Sequence, residues 1–131
     1  KLMDTLSFNP VLGHINTFGG HPVSCAAGLA AFNVLLKDNL VADVRRKEKL
    51  FRSNLNHPLI KNINSVGLMM AVEFENYEVN KKLIDKCIEN GVFTDWFLFA
   101  PHALRIVPPL NINDEEILNA CAKIIQVLNN I

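Results

Sequence analysis

The sequence lacks the features that mark several large classes of protein. No apolar run approaches the ~18 residues that a membrane-spanning helix needs, and no basic segment followed by an apolar stretch opens the chain. The 13 basic residues are matched by 13 acidic ones, so no excess of positive charge indicates nucleic acid or an anionic membrane surface. We therefore expect a soluble, cytoplasmic protein with no nucleic-acid partner and no membrane partner.

The cysteines lack a pattern that would indicate chemistry. Cys25, Cys87 and Cys121 form no Cys-x-x-Cys pair and lie among apolar residues, where small thiols are usually packed in a core. We predict core positions for all three, with no redox role and no metal site. The chain also lacks an initiator methionine, and residues 2–6 look like the end of a helix, so we expect a fragment of a longer protein.

The residues that are present predict one α+β domain, in which helices cover one face of a small, mostly antiparallel sheet. Half of the 131 residues are hydrophobic, which is enough for a single core. Glycines and prolines predict a loop over residues 7–20, and Pro22 opens a buried helix of small side chains. A second helix is predicted from near Asn39, with the charged run 45–49 on a solvated face.

Three strands and two more helices are predicted further along the chain. The strands are expected at residues 68–74, 92–94 and 104–107, where apolar residues alternate or form short runs. A third helix is expected over residues 77–89, because Asn90 and Gly91 supply a stop signal. The last helix is the best marked, since Asn113 can cap it and Glu116 lies three residues later.

The segment from Asn16 to Pro22 places a hydroxyl and two glycines directly before a predicted helix. Such a position can receive a phosphate, because unpaired N–H groups point outward and the helix dipole favours an anion. On spacing alone, we favour a tight turn at a helix entrance.

Three motifs resemble the class III pyridoxal-phosphate aminotransferases, the family of the ornithine, acetylornithine and 4-aminobutyrate enzymes. Residues 17–27, TFGGHPVSCAA, are similar to the family's T-[FY]-G-G-N-P-[LV]-[AS]-C-A-A stretch. Residues 66–74, VGLMMAVEF, are similar to its G-L-M-x-[GA]-[VI]-E-[FL] strand, and residues 104–110, LRIVPPL, to its [LF]-R-[FILV]-x-P-P-L segment. The three motifs follow in the family's order and are distributed along most of the chain, from residue 17 to residue 110.

The resemblance implies a cofactor role for the first motif. In the family, the motif's threonine hydrogen-bonds the phosphate of pyridoxal 5'-phosphate in the neighbouring subunit, which corresponds to Thr17 and implies a homodimer. Asn16 stands where Ser or Thr is usual and is a second, weaker candidate for that contact. His21 replaces the family's Asn, and a lone histidine at a helix entrance is more often structural than catalytic.

Arg105 is the candidate substrate residue. A guanidinium can hold an α-carboxylate with two parallel charge-assisted hydrogen bonds, which a lysine cannot do. From the residues alone an ordinary salt bridge on a short strand is the simpler interpretation, whereas the resemblance implies a substrate clamp. The bulky segment from Asp95 to Phe99 could line a substrate pocket or pack against a missing domain, and we favour packing.

The resemblance implies the small C-terminal domain of a fold-type-I transferase, with residues 1–20 as the end of the large-domain region and the phosphate loop, and residues 21–131 as the connecting helix and small domain. The lysine that binds the cofactor covalently has no match here, so no catalytic residue is predicted and the fragment should be inactive alone. The parent would transfer an amino group from an amino acid or ω-amine to a 2-oxo acid. A related aminomutase or decarboxylase, and a non-catalytic α+β binding module, remain alternatives.

Overall fold

The computed structural model describes Asp4 and residues 16–131, and the chain divides into two compact units, Lys1–Asp38 and Asn39–Ile131. The predicted loop residues before Asn16 lie outside the described residues. So does the predicted helix end at residues 2–6, apart from Asp4, which is helical. The predicted boundary at residue 20, between the end of the large domain and the small-domain part, stays a prediction. Among the described residues, no helix is long and apolar enough to cross a membrane.

The first unit contains helix α1, Pro22–Lys37, which begins with a proline as predicted. The predicted burial is wrong for this chain, because none of the helix residues is buried. Cys25 is exposed as well, and large side chains such as Leu29 and Phe32 are 61% and 56% exposed. A helix this apolar around its circumference normally lies among other elements.

The second unit is an α+β domain, as predicted. Its helices are α2 (Val44–Asn54), α3 (Tyr77–Glu89) and α4 (Asp114–Leu128), and its strands are β1 (Asn62–Val66), β2 (Met69–Glu73), β3 (Asp95–Phe97) and β4 (Ala100–Ile106). The strands form one sheet in the order β1-β2-β4-β3, and every neighbouring pair is antiparallel.

Helix α2 begins later than predicted and is less solvated. Asn39 has a φ of 49°, a left-handed conformation that interrupts the helical path, and turns carry the chain to Val44. Within the charged run, Lys47 and Glu48 are buried, so the predicted solvated face is wrong at these two positions. The ammonium group of Lys47 donates to the Leu110 carbonyl at 2.8 Å. The buried cation therefore has a hydrogen-bond acceptor, which reduces the cost of burying it.

The caps of the last two helices follow local sequence signals. Asn76 accepts a hydrogen bond from the Val79 N–H at 3.0 Å and begins α3. At α4, the Asn113 side chain accepts from the Glu116 N–H and the Glu116 carboxylate accepts from the Asn113 N–H, both at 2.9 Å. This reciprocal capping box confirms the prediction made from the spacing of the two residues.

The strands are predicted less well than the helices. The sequence does not predict β1, because Asn62, Asn64 and Ser65 make residues 62–66 predominantly polar. The strand predicted at 92–94 is wrong, and β3 begins at Asp95. The Val92 N–H donates to the Cys87 carbonyl at 2.8 Å, which ties this residue to the end of α3 and keeps it out of the sheet.

The core lies between one face of the sheet and the helices. Met70, Val72 and Leu104 point to this side and are fully buried. Cys87 and Cys121 are buried there too, as predicted, and burial raises the pKa of each thiol to about 11. Side chains alternate along a strand, so the neighbours of these residues lie on the opposite, open face of the sheet.

Candidate active site

The turn before α1 is built by the predicted phosphate motif. The Asn16 side-chain oxygen accepts from the Phe18 N–H at 3.0 Å, and the Asn16 carbonyl accepts from the Gly19 N–H at 3.1 Å. Gly20 then takes a φ of 77°, which a residue with a Cβ rarely adopts. Asn16 therefore shapes the turn with its oxygen, and Thr17 is left exposed on its surface.

The entrance of α1 can accept an anion. The first intrahelical bond runs from the Cys25 N–H to the His21 carbonyl, so the N–H groups of Val23 and Ser24 have no helical acceptor. The His21 side chain does not cap the helix, and the first turn contains no acidic residue. Nothing lies within 4 Å of the position that a Cβ on Gly20 would occupy. These features fit a phosphate group.

Arg105 lies on the open face of the sheet in the second unit. It is the next-to-last residue of β4, and the register places Ala71 beside it on β2 and Asp95 beside it on β3. The Thr94 hydroxyl donates to the Arg105 carbonyl at 2.7 Å, which fixes the backbone where the strand ends. The Pro108-Pro109 pair follows the strand, as the sequence indicated.

The guanidinium of Arg105 forms an ion pair with Asp95. One terminal nitrogen, Nη2, donates to Oδ2 of the carboxylate, and the two side chains are 43% and 41% exposed. No other hydrogen bond of the guanidinium is formed within residues 16–131. Because Asp95 uses only one of five N–H donors, one complete two-donor edge stays available.

A depression of about 350 Å³ adjoins this pair on the open face. Its wall combines apolar side chains with the two charged ones, and it is lined by Met69, Phe93, Thr94, Asp95, Arg105 and Val107. The volume is at the lower end of the range for small-molecule sites. A compact ligand with a carboxylate would find both an apolar wall and a cationic donor here.

The segment that contains Asp95 does not pack as a whole. Leu98 and Phe99 are 80% and 95% exposed, and the favoured packing of this segment against a missing domain stays a prediction. Trp96 makes an edge-to-face contact with Tyr77, with 6.4 Å between ring centroids. Asp95 itself was not predicted as a site residue, because its position beside Arg105 depends on strand register.

Comparison with known proteins identifies the family. The family model described as aminotransferase class-III matches residues 1–128. The chain belongs to the class-III aminotransferase family. It is 37% identical over 116 residues to an acetylornithine aminotransferase of Haemophilus ducreyi, covering 88% of this chain and 29% of that protein. It is 36% identical over 123 residues to the acetylornithine aminotransferase of Caldanaerobacter subterraneus, covering 90% of this chain and 30% of the relative.

Solved structures of aminotransferases share the fold. Ornithine aminotransferase from Toxoplasma gondii, with pyridoxal phosphate at partial occupancy in its active site, is 31% identical with a TM-score of 0.77 and covers 98% of this chain and 31% of that chain. A sixfold mutant of an omega transaminase from Pseudomonas jessenii is 25% identical with a TM-score of 0.81, over 98% of this chain and 31% of that chain. The chain thus spans about three tenths of the length of these relatives.

Proposed function

We propose that these 131 residues are the C-terminal part of an enzyme that transfers an amino group from an amino acid or ω-amine to a 2-oxo acid. Family membership supports this reaction class, and both curated relatives are named as aminotransferases. The parent is proposed to be a cytoplasmic homodimer. Pyridoxal phosphate is the cofactor proposed for it, and when bound it supplies the electron sink for bond breaking at the amino carbon.

The observation that carries the proposal is the open guanidinium edge of Arg105. A central strand of the sheet holds the residue beside a small depression, and Asp95 leaves two parallel N–H donors unused. That geometry suits an α-carboxylate or a 2-oxo acid, which accepts two such bonds at once. Arg105 is therefore proposed to bind and orient the substrate carboxylate.

The turn at Asn16 and Thr17 is proposed to contact the cofactor phosphate. Its support is the exposed position of Thr17, the unpaired N–H groups at the start of α1 and the absence of acidic residues from that first helical turn. Asn16 could contribute its side-chain N–H₂ group, since its oxygen is already used within the turn. The family resemblance implies that this contact serves the partner subunit of the dimer.

This segment is proposed to be inactive alone, because none of its lysines matches the family's covalent attachment site. Three of the described lysines are already engaged. Lys47 is buried against the Leu110 carbonyl, whereas Lys81 and Lys86 pair with Asp85 and Glu89 on their own helix. The catalytic base must then come from the remainder of the polypeptide.

Substitution of Arg105 in the complete enzyme tests the proposal. Arg105→Lys should lower kcat/KM for carboxylate-bearing donors by about 10- to 100-fold, because one charge-assisted hydrogen bond to the carboxylate is lost. Donors that lack the carboxylate should be affected much less. Equal losses for a matched pair of donors would leave Arg105 as a structural residue and overturn the assignment.

Arg52 offers a matched control. It is also a partly exposed arginine, and its Nη1 donates to the Ile63 carbonyl at 2.7 Å and to the Ser65 hydroxyl at 3.0 Å. Arg52→Lys should therefore change folding stability without changing the preference between the two donors. A change in donor preference that both substitutions share would show that the effect is not specific to Arg105.

A further inference from the structure

Asp95 and Arg105 face each other across two strands at a fixed register. The pairing of β3 with β4 sets the two residues directly opposite, so their side chains leave the sheet on the same face. The pair is almost half exposed, and an ion pair of this kind contributes little to folding stability. A purely structural role therefore explains little of why a carboxylate is held at this position.

The Asp95 carboxylate is itself oriented by the backbone. Its Oδ1 accepts from the Trp96 N–H, while Oδ2 accepts from Arg105. The bulge between Trp96 and Phe97 shifts the register immediately afterwards. The acid is thus held against one edge of the guanidinium, and its negative charge stays beside any ligand that binds the other edge.

Two electrostatic consequences follow for ligands in the depression. A second carboxylate on Arg105 is attracted by the guanidinium and repelled by Asp95, which weakens its binding. An uncharged ligand end leaves the guanidinium without an anionic partner from the ligand, and Asp95 then supplies the counter-charge. Covering the Arg105 guanidinium with an apolar ligand would be costly if the charge had no partner. Because Asp95 supplies that partner, it favours ligands that lack a carboxylate at this end.

We infer that Asp95 is a specificity-determining residue that acts through Arg105 and balances carboxylate-bearing against uncharged substrate ends in one pocket. This inference rests on the proposed role of Arg105 as the carboxylate clamp. Asp95 is a positioning residue in this scheme: it orients the guanidinium and moderates its charge, and it transfers no proton.

Asp95→Asn in the complete enzyme separates charge from geometry, because the amide oxygen still accepts from Arg105. The KM for carboxylate-bearing donors should fall about fivefold, from the loss of a like charge a few ångströms from the ligand in a largely solvated site. The KM for donors with an uncharged end should rise. A simple monocarboxylate, titrated by calorimetry, should bind about fivefold more tightly, which gives a readout independent of turnover.

Two variants control for this change. Asp95→Glu keeps the charge and should restore a donor preference close to that of the unmodified enzyme. Asp85→Asn removes one negative charge from α3, where Asp85 pairs with Lys81, and should leave the preference unchanged. Melting temperatures of all three should stay close together.

The outcomes distinguish the inference from the proposed function beneath it. If Arg105→Lys lowers activity selectively for carboxylates and Asp95→Asn leaves the preference and the monocarboxylate affinity unchanged, only the role of Asp95 is overturned. Weaker monocarboxylate binding by Asp95→Asn would overturn it too. If Arg105→Lys affects both donor types equally, the clamp itself fails.

Discussion

Gly67 lies so close to Val44 that a Cβ on the glycine would come within 2.5 Å of Val44 Cγ1. Gly67 also has a φ of 62° and forms, with Leu68, the two-residue turn between β1 and β2. Gly67→Ala should therefore destabilise the fold by about 1–3 kcal/mol, through backbone strain and overpacking. Urea unfolding measures the change.

A double-mutant cycle separates the two causes. Val44→Ala removes the γ-carbon that a Cβ at position 67 would meet, so the double variant should lose less stability than the sum of the single variants. Strict additivity would show that backbone strain alone accounts for the effect of Gly67→Ala.

The capping box of α4 gives a second prediction. Asn113→Ala should lower the free energy of unfolding by about 1 kcal/mol, because the Glu116 N–H loses its side-chain acceptor. Asn113→Ser keeps an acceptor and should stay close to the unmodified protein. Thermal unfolding followed by circular dichroism compares the three, and equal midpoints for Ala and Ser would contradict the role of the cap.

Arg46 links α2 to the start of α4 and makes the folding stability depend on pH in the acidic range. It donates to Asp43 and to Asp114 at 2.6–2.8 Å, and these hydrogen bonds hold the pKa of each carboxyl below its ordinary value of 3.8. A carboxyl with a lowered pKa stabilises the fold above its unfolded-state pKa, and this contribution is lost as pH falls through the folded-state value. Stability should therefore drop as the pH falls below about 4.

Arg46→Gln tests this assignment. With the guanidinium removed, the two carboxyl groups should titrate nearer their ordinary values, and the acid-dependent part of the unfolding free energy should shrink. Lys82→Gln is a suitable control, because Lys82 is exposed and forms no ion pair within the described part of the chain. Identical acid dependence in the Arg46 and Lys82 variants would refute the link.

Thr17 gives a prediction about cofactor retention in the complete enzyme. If its hydroxyl donates to the cofactor phosphate, Thr17→Ala should weaken binding by about 1.5–3 kcal/mol, the range for a hydrogen bond to a charged group. Thr17→Ser keeps the hydroxyl and should retain most of the affinity. Equilibrium dialysis against pyridoxal phosphate measures this, and equal affinity for Ala and Thr would remove Thr17 from the site.

Local signals were sufficient for part of the fold. Asn113 with Glu116, and Asn76 before Tyr77, define helix starts within four residues of sequence, because a cap is satisfied by its own neighbours. The limits of the sheet were harder to predict. Asn62 and Asn64 face away from the core and pair instead with Glu73 on the next strand, so the apolar residues of β1 are only Ile63 and Val66.

The candidate site also has one residue that a local sequence signal predicts and one that it does not. Arg105 could be selected from a short motif, since its residue type and the two prolines after it occur together in sequence. Asp95 could not, because it lies ten positions from Arg105, across a bulged hairpin. Only the register of β3 against β4 brings the acid to the guanidinium, and no local pattern in residues 92–99 specifies that register.

The hairpin of β3 and β4 has a consequence for engineering. Thr94, Asp95 and Arg105 all belong to one continuous stretch of chain, and each contact among them is made within that stretch. Ala71, which completes the row on β2, contributes only a small side chain. The charge arrangement at the proposed carboxylate site is therefore contained in one short segment, and exchanging residues 94–107 between related enzymes would transfer the arginine, its acidic neighbour and the Thr94 hydroxyl together.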